Sequence, residues 1–360
     1  MSQKSTHITD LFGTLPTPSY IIDENVLRHN GEILASVAAH TGCKILLAQK
    51  AFSNYDFYPL LSGYLSGTEA SGLYEARLGA EEMPDKEVHV FCGAYRDDEF
   101  EELLTYADHI VFNSPHQFKK FAQKAKAAGK SIGLRINPEC STQDGHAIYD
   151  PCAPGSRLGT TRAVWNREMT SEWISLLDGL HFHTLCEQDS DDLETTLAAV
   201  ERSFGDILPQ MKWLNMGGGH HITRNDYDIA RLEKCITYAQ DQWNLCVYLE
   251  PGEAVALNAG YLITRVLDIV ENNGTHIAIL DTSAACHMPD VIEMPYMPPL
   301  YGAKALTDKP ATNADSKHPD FVYRLAGPTC LAGDVIGDYT FAAPLHEGSL
   351  LVFQDMAIYS

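Results

Sequence analysis

The sequence predicts an α/β protein in two parts, a TIM-type (β/α)8 barrel and a smaller, mainly β domain. Three features carry that expectation. Eight short apolar runs recur between residues 44 and 252, helical patterns separate them, and after residue 255 those helical patterns stop. Strands alternating with helices imply a parallel sheet with helical crossovers. Eight such repeats in about 210 residues suit a barrel, which typically spans ~250 residues.

The eight runs are KILLAQK (44–50), YLSGTEA (64–70), EVHVFCG (87–93), HIVFNS (109–114), SIGLRIN (131–137), GLHFHTL (179–185), WLNMGGG (213–219) and CVYLEPG (246–252). Each reads as a buried strand. SPHQFKKFAQKAKAAGK (114–130) and DSDDLETTLAAVERSFGDILPQ (189–210) read as helices. GYLITRVLDIVEN, THIAILDTS, FVYRLAGPT, GDYTFAAP and SLLVFQDMAIYS then follow as strands with turn signals between them. This places the barrel at 20–255 and the β domain at 1–19 with 256–360. The Pro-, Met- and Asp-rich segment 287–320 reads as a long loop. The last strand-like run is cut off at Ser360, which suggests a true C-terminus further on.

Charge narrows the range of partners. Against 26 Lys and Arg stand 48 Asp and Glu, a net charge of -22. Such a chain repels nucleic acid and anionic membranes and attracts cationic small molecules. No apolar run reaches the ~18 residues of a membrane span, and the N-terminus lacks a signal-peptide core. Nine cysteines, none in a CxxC pair, read as free thiols of a reduced, cytoplasmic protein.

In a TIM barrel the chemistry gathers at the C-terminal strand ends. There the sequence puts Lys50, Glu69, Arg135 and Asn137, His181 and His183, Gly217-Gly218-Gly219, and Glu250 followed by Gly252 and Glu253. Adjacent glycines let backbone N–H groups approach a ligand such as phosphate, or they form an ordinary tight turn. A lysine in a desolvated mouth loses pKa and becomes an amine fit for Schiff-base chemistry, whereas most lysines are solvated surface residues. Glu250 suits the nitrogen of a bound ring, or a salt bridge. His183 can stack on a flat ring or sit satisfied in the core. His181 and His183 with His220 and His221 also admit a zinc-hydrolase reading, ranked lower because the third ligand is not placed with them. No metal is expected. A Schiff-base lysine, a phosphate loop, a stacking histidine and an acid for a ring nitrogen are together what pyridoxal 5′-phosphate requires of a protein.

The ordered motifs TPSYIID, AQKAF, GTEASGLYEA, LRINP, GSRLG, GLHFHTL, NMGGGHH, LEPGE, GPTCLAGD and DMAIYS cover nearly the whole chain. In them the sequence resembles the fold-type III pyridoxal-phosphate decarboxylases, the alanine-racemase-like group that includes ornithine and diaminopimelate decarboxylases. AQKAF, EASGLYEA, HFHTLCEQ, EPGEA and GPTCLAGD look like its carboxynorspermidine decarboxylase branch. The resemblance implies that Lys50 carries the cofactor, His183 stacks on its ring, Glu250 pairs with the pyridine nitrogen, and Arg135 and Glu69 lie near the ring. It implies phosphate binding by Gly217, Gly218, Gly219 and Gly252, closed by Tyr359. It also implies a homodimer with shared active sites, in which Cys330 and Asp334 reach the partner's site and Cys330 returns the proton.

Two departures bear on the substrate. Diaminopimelate decarboxylases have an arginine where this chain has Glu253, which favours a cationic tail over a carboxylate. The ornithine enzyme has an aspartate after the cysteine, where Leu331 follows Cys330 here. Both fit a polyamine precursor, carboxynorspermidine or carboxyspermidine, with Glu253, Asp334, Asp290 and Glu293 as candidates to hold its ammonium groups. The alternatives are an ornithine- or diaminopimelate-like decarboxylase and a catalytically dead regulatory relative, against which Lys50, Cys330 and the glycines count.

Overall fold

The computed structural model describes residues 11–143, 147–306 and 321–359. They divide into two compact units. One spans residues 27–255; the other joins the described residues up to Val26 to those from Ala256 onward. The first strand, β1 (Ser19–Ile22), pairs antiparallel with Gly260–Ile263 and so belongs to the second unit. Residues 20–26, placed with the barrel on sequence alone, lie in that second unit.

The first unit is a closed barrel of eight parallel strands. These are β2 (Lys44–Ala48), β3 (Gly67–Ala70), β4 (Glu87–Phe91), β5 (His109–Phe112), β6 (Ser131–Asn137), β8 (Gly179–His181), β9 (Trp213–Asn215) and β10 (Cys246–Leu249). The two-residue β7 (Thr160–Thr161) pairs beyond the end of β6, and β10 pairs with β2 to close the ring. The crossover helix Pro115–Ala127 starts where Ser114 accepts the Gln117 N–H and proline takes the first turn. It buries Phe118, Phe121, Ala122 and Ala125, an i, i+3, i+4, i+7 stripe. Each such phenylalanine contributes roughly 1.5–3 kcal/mol through burial. Inside the barrel, Trp213 occupies the space that side chains at Gly133 and Gly179 would fill. A Cβ there would lie 2.3 and 2.0 Å from its ring.

All eight predicted strands are present, but most are shorter than the apolar runs. β2 ends at Ala48, β8 at His181, β9 at Asn215 and β10 at Leu249. Lys50, His183, the three glycines and Glu250 therefore stand just past the strands, on the C-terminal rim.

The second unit is a seven-stranded sheet around the long β11 (Gly260–Asn272), which pairs with β1, β12 (Thr275–Leu280) and β16 (Leu350–Gln354). From β12 the sheet continues through β14 (Phe321–Ala326) and β15 (Val335–Phe341) to β13 (Ala303–Ala305). Leu262, Leu280, Leu325, Tyr339 and Phe353 are fully buried in its core. The described part of 287–320 is more ordered than a long loop: Asp290–Glu293 forms a helical turn and β13 pairs with β15. Residues 307–320 lie outside the described residues.

Candidate active site

Lys50 lies two residues beyond β2 in a turn fixed from both sides. The Ala48 N–H bonds Pro251 O, the Gln49 N–H bonds Glu69 O, and the Ala51 N–H closes the turn on Ala48 O. Gln49 is buried. Its amide donates to Glu75 O at 2.9 Å and accepts from Tyr58 Oη at 3.1 Å. The backbone is pinned while Lys50 is exposed. Gly252 lets the β10 loop approach this turn, since a Cβ there would sit 2.6 Å from Ala51 Cβ.

Glu250 is buried at the end of β10. Its Oε1 accepts from Asn215 Nδ2 at 2.6 Å, and its Oε2 lies 3.2 Å from His181 Nε2. Burial alone would neutralise it, but His181 and the positive charges nearby outweigh burial and bring its pKa down to about 2. Glu69, equally buried at the end of β3, goes the other way. Burial first, then the charge of Glu250, raises its pKa to about 8. The pair shares a low-dielectric space, so only one is ionised, and the hydrogen bonds from Asn215 and His181 choose Glu250. Glu69 Oε2 has no hydrogen-bond partner among the described residues.

His183 follows β8 by two residues. Its Nδ1 accepts the Gly218 N–H at 3.1 Å, so any ring proton must sit on Nε2. Burial, with Lys50 and Arg135 nearby, drives its pKa well below the ordinary value, and the imidazole is neutral. Arg135 is buried on β6, lies 4.6 Å over the Phe91 ring and donates to His183 O at 3.2 Å. Burial lowers its pKa to about 10, so it remains a cation at neutral pH. Phe91 in turn stacks on His181 at 5.4 Å.

The glycine run does something other than present three N–H groups. The Gly217 N–H is taken by Asn215 Oδ1 at 2.9 Å and the Gly218 N–H by His183. Side chains are excluded because the loop threads between strand ends. A Cβ on Gly218 would lie 2.5 Å from Glu250 O, and one on Gly219, at φ +81°, would lie 2.1 Å from Leu185 O. The N–H groups of Gly219 and Gly252 have no partner among the described residues and are the ones free to meet an anion. The four histidines of the zinc reading do not converge. His181 faces Glu250, His183 takes Gly218, His220 Nε2 is 3.4 Å from Met216 O, and His221 faces Glu253.

The remaining predicted residues belong to the sheet unit. Cys330 is exposed in the loop 328–333. Asp334 closes that loop but is buried, with its carboxylate turned inward. Its Oδ2 accepts from Thr329 Oγ1 at 2.6 Å and its Oδ1 from the Ala284 N–H at 2.8 Å. Burial opposes its charge, but these bonds hold its pKa below the usual range. These bonds tie the Cys330 loop to the segment that carries Ala284. Asp290 is half-buried, Glu293 is exposed, and Tyr359 is exposed with φ +49°.

A family model described as pyridoxal-dependent decarboxylase, C-terminal sheet domain, matches residues 19–357. The chain belongs to the pyridoxal-dependent decarboxylases. This decarboxylase is 43% identical over 347 residues to the carboxynorspermidine/carboxyspermidine decarboxylase of Campylobacter jejuni, covering 96% of this chain and 88% of the relative. It is 40% identical over 348 residues to the carboxyaminopropylagmatine decarboxylase of a Synechocystis species, covering 96% and 86%. The crystal structure of the Campylobacter jejuni carboxynorspermidine decarboxylase with norspermidine superposes at a TM-score of 0.86 over 96% of this chain and 89% of that one.

The decarboxylase uses pyridoxal 5′-phosphate, and its side chains fit that group. A carboxylate kept ionised in a buried site suits a protonated ring nitrogen, as Glu250 provides. Glu69 Oε2 lacks a partner that a ligand can supply, and Gly219 and Gly252 offer unclaimed N–H donors. Asn215, which holds both Glu250 and Gly217, had no role on sequence reading. Its place two residues before the glycine run was the available signal.

The Glu69 shift gives a stability test in the cofactor-free protein. A raised folded-state pKa stabilises the fold below the unfolded value of 4.5, and that contribution is lost as pH rises to about 8. Glu69→Gln is expected to flatten the fall of Tm between pH 5 and 8. An unchanged slope in thermal melts would place the shared proton elsewhere.

Proposed function

We propose that this decarboxylase removes the α-carboxylate of carboxynorspermidine, and of carboxyspermidine, giving norspermidine and spermidine. The main support is the close match over almost the whole chain to an enzyme of that name solved with norspermidine. Glu253, which follows the Gly252 packed against the lysine turn, and the net charge of -22 agree with a cationic substrate. Lys50 holds the cofactor through its amine, and His183, locked neutral by Gly218, lies against its ring. Gly219 and Gly252 take the phosphate, with Tyr359 closing it. When bound, pyridoxal phosphate withdraws the electron pair left at Cα by the departing carboxylate. Glu250 keeps the ring nitrogen protonated, and Arg135 and Glu69 border the ring. Holding the substrate with its carboxylate aligned can itself contribute ~7–11 kcal/mol.

Cys330 returns the proton to Cα, acting in a homodimer whose active sites are shared. Its exposure in the loop 328–333 agrees with a thiol that serves the partner subunit. Asp290 and Glu293 remain candidates for the substrate tail. The protein acts in the cytoplasm. Among the described residues no helix is long and apolar enough to cross a membrane.

Carbon dioxide release from carboxynorspermidine, carboxyspermidine, ornithine and diaminopimelate tests the reading, and a clear preference for diaminopimelate overturns it. The 40% identity to the Synechocystis enzyme favours a second reading, a carboxylate precursor with an agmatine tail, so that compound belongs in the same assay. Cys330→Ala should keep the cofactor absorbance but slow turnover by ~10²–10⁴-fold, the usual contribution of a positioned proton donor. It should also release a product other than the simple amine. Parent-like rate and product would remove Cys330 from proton transfer.

A further inference from the structure

We propose that Glu187, His221 and Glu253 form a cation subsite on the barrel rim that holds an ammonium group of the substrate's polyamine tail. The proposal rests on the function above and assigns the tail to the barrel itself. Three neighbouring strands each deliver one of these residues just outward of a cofactor-binding position. Glu187 comes four residues after His183, His221 two after Gly219 and Glu253 three after Glu250.

Their ligand atoms lie within 4.8 Å of one another. His221 is nine-tenths buried and its Nε2 points into the cluster, 3.2 Å from Glu253 Oε2 but without the alignment of a hydrogen bond. Backbone contacts fix the arrangement. Gln188 N–H bonds Gly219 O and the His221 N–H bonds Gln188 O, so the loops carrying Glu187 and His221 run side by side. Gln188 is itself tied to Gln143, whose Nε2 donates to Gln188 Oε1 at 2.6 Å.

The two carboxylates match a secondary ammonium, which is a cation with two N–H donors. The site is also placed correctly along the substrate. Glu187, Glu253 and Lys50 are all close enough to Cys186 to act on its thiol, so the subsite and the cofactor-bearing amine share one neighbourhood. A substrate bonded at its α-amine near Lys50 has its tail within reach of the two glutamates.

The test is calorimetric titration of norspermidine into the holoenzyme, with kinetics alongside. Glu187→Gln and Glu253→Gln are each expected to weaken norspermidine binding by roughly tenfold or more, as losing a charge-assisted hydrogen bond does. KM for carboxynorspermidine should rise in step, while the visible spectrum of the bound cofactor stays that of the parent. If the parent binds norspermidine and both variants bind it equally well, the subsite is wrong while the function stands. If the parent neither binds norspermidine nor decarboxylates carboxynorspermidine, function and subsite fall together. Stoichiometric Zn²⁺ binding that both variants abolish, with norspermidine binding intact, would make the cluster a metal site and overturn the proposal.

Discussion

Lys50→Ala is expected to lose the visible absorbance of bound cofactor and all measurable decarboxylation together. The turn around residue 50 is fixed by the Gln49 side chain and by three backbone hydrogen bonds, none of which involves the lysine side chain. Removing the amine should therefore leave the fold intact, and Tm of the cofactor-free variant should stay close to the parent. Borohydride reduction of the parent followed by peptide mapping should leave the label on Lys50. Full activity in the alanine variant, or a label on another lysine, would sink the assignment.

Glu250→Gln has the second largest expected effect, and its character differs. The cofactor should remain bound through Lys50, while kcat falls by ~10²–10³-fold, the scale of removing one preorganised electrostatic group. Glutamine keeps the shape and can still meet Asn215 and His181, but it cannot hold a proton on a ring nitrogen. Because His181 and the surrounding positive charges bring the Glu250 pKa down to about 2, the carboxylate is ionised across the whole working range. The parent should thus show no loss of rate near pH 4–5 from this group. Rapid scanning of bound-cofactor spectra would check the prediction, and a parent-like spectrum and rate in Glu250→Gln would refute it.

The eight barrel strands were legible because each is a short apolar run flanked by turn residues, and a parallel sheet buries both faces. Their ends were not, because buried apolar residues run on past the last paired one, as Phe182 and Leu185 do after β8. YLSGTEA illustrates this at its start: the strand begins only at Gly67, where a Cβ would lie 1.9 Å from Glu87 O on the neighbouring strand. Lys50, Glu69, Arg135, His183 and Glu250 could be named because strand-end position is a one-dimensional property. The roles of Asn215 and Gln49 depend on which strands become neighbours, and no local pattern records that. The partners of Asp334 were hidden for the same reason. GPTCLAGD shows the aspartate, but the N–H that captures it comes from Ala284, 50 positions earlier.

The single amide of Asn215 has a wider consequence. It grips Glu250 with one end and the glycine loop with the other, so the part of the site that sets chemical reactivity is rigidly joined to the part that seats the cofactor. A lineage drifting in sequence cannot adjust either without disturbing both. The outer rim, by contrast, hangs on separate loops. New substrates can therefore be sampled there while the inherited chemistry stays untouched, which gives this scaffold a natural route to diversify and gives the protein engineer the residues to randomise first.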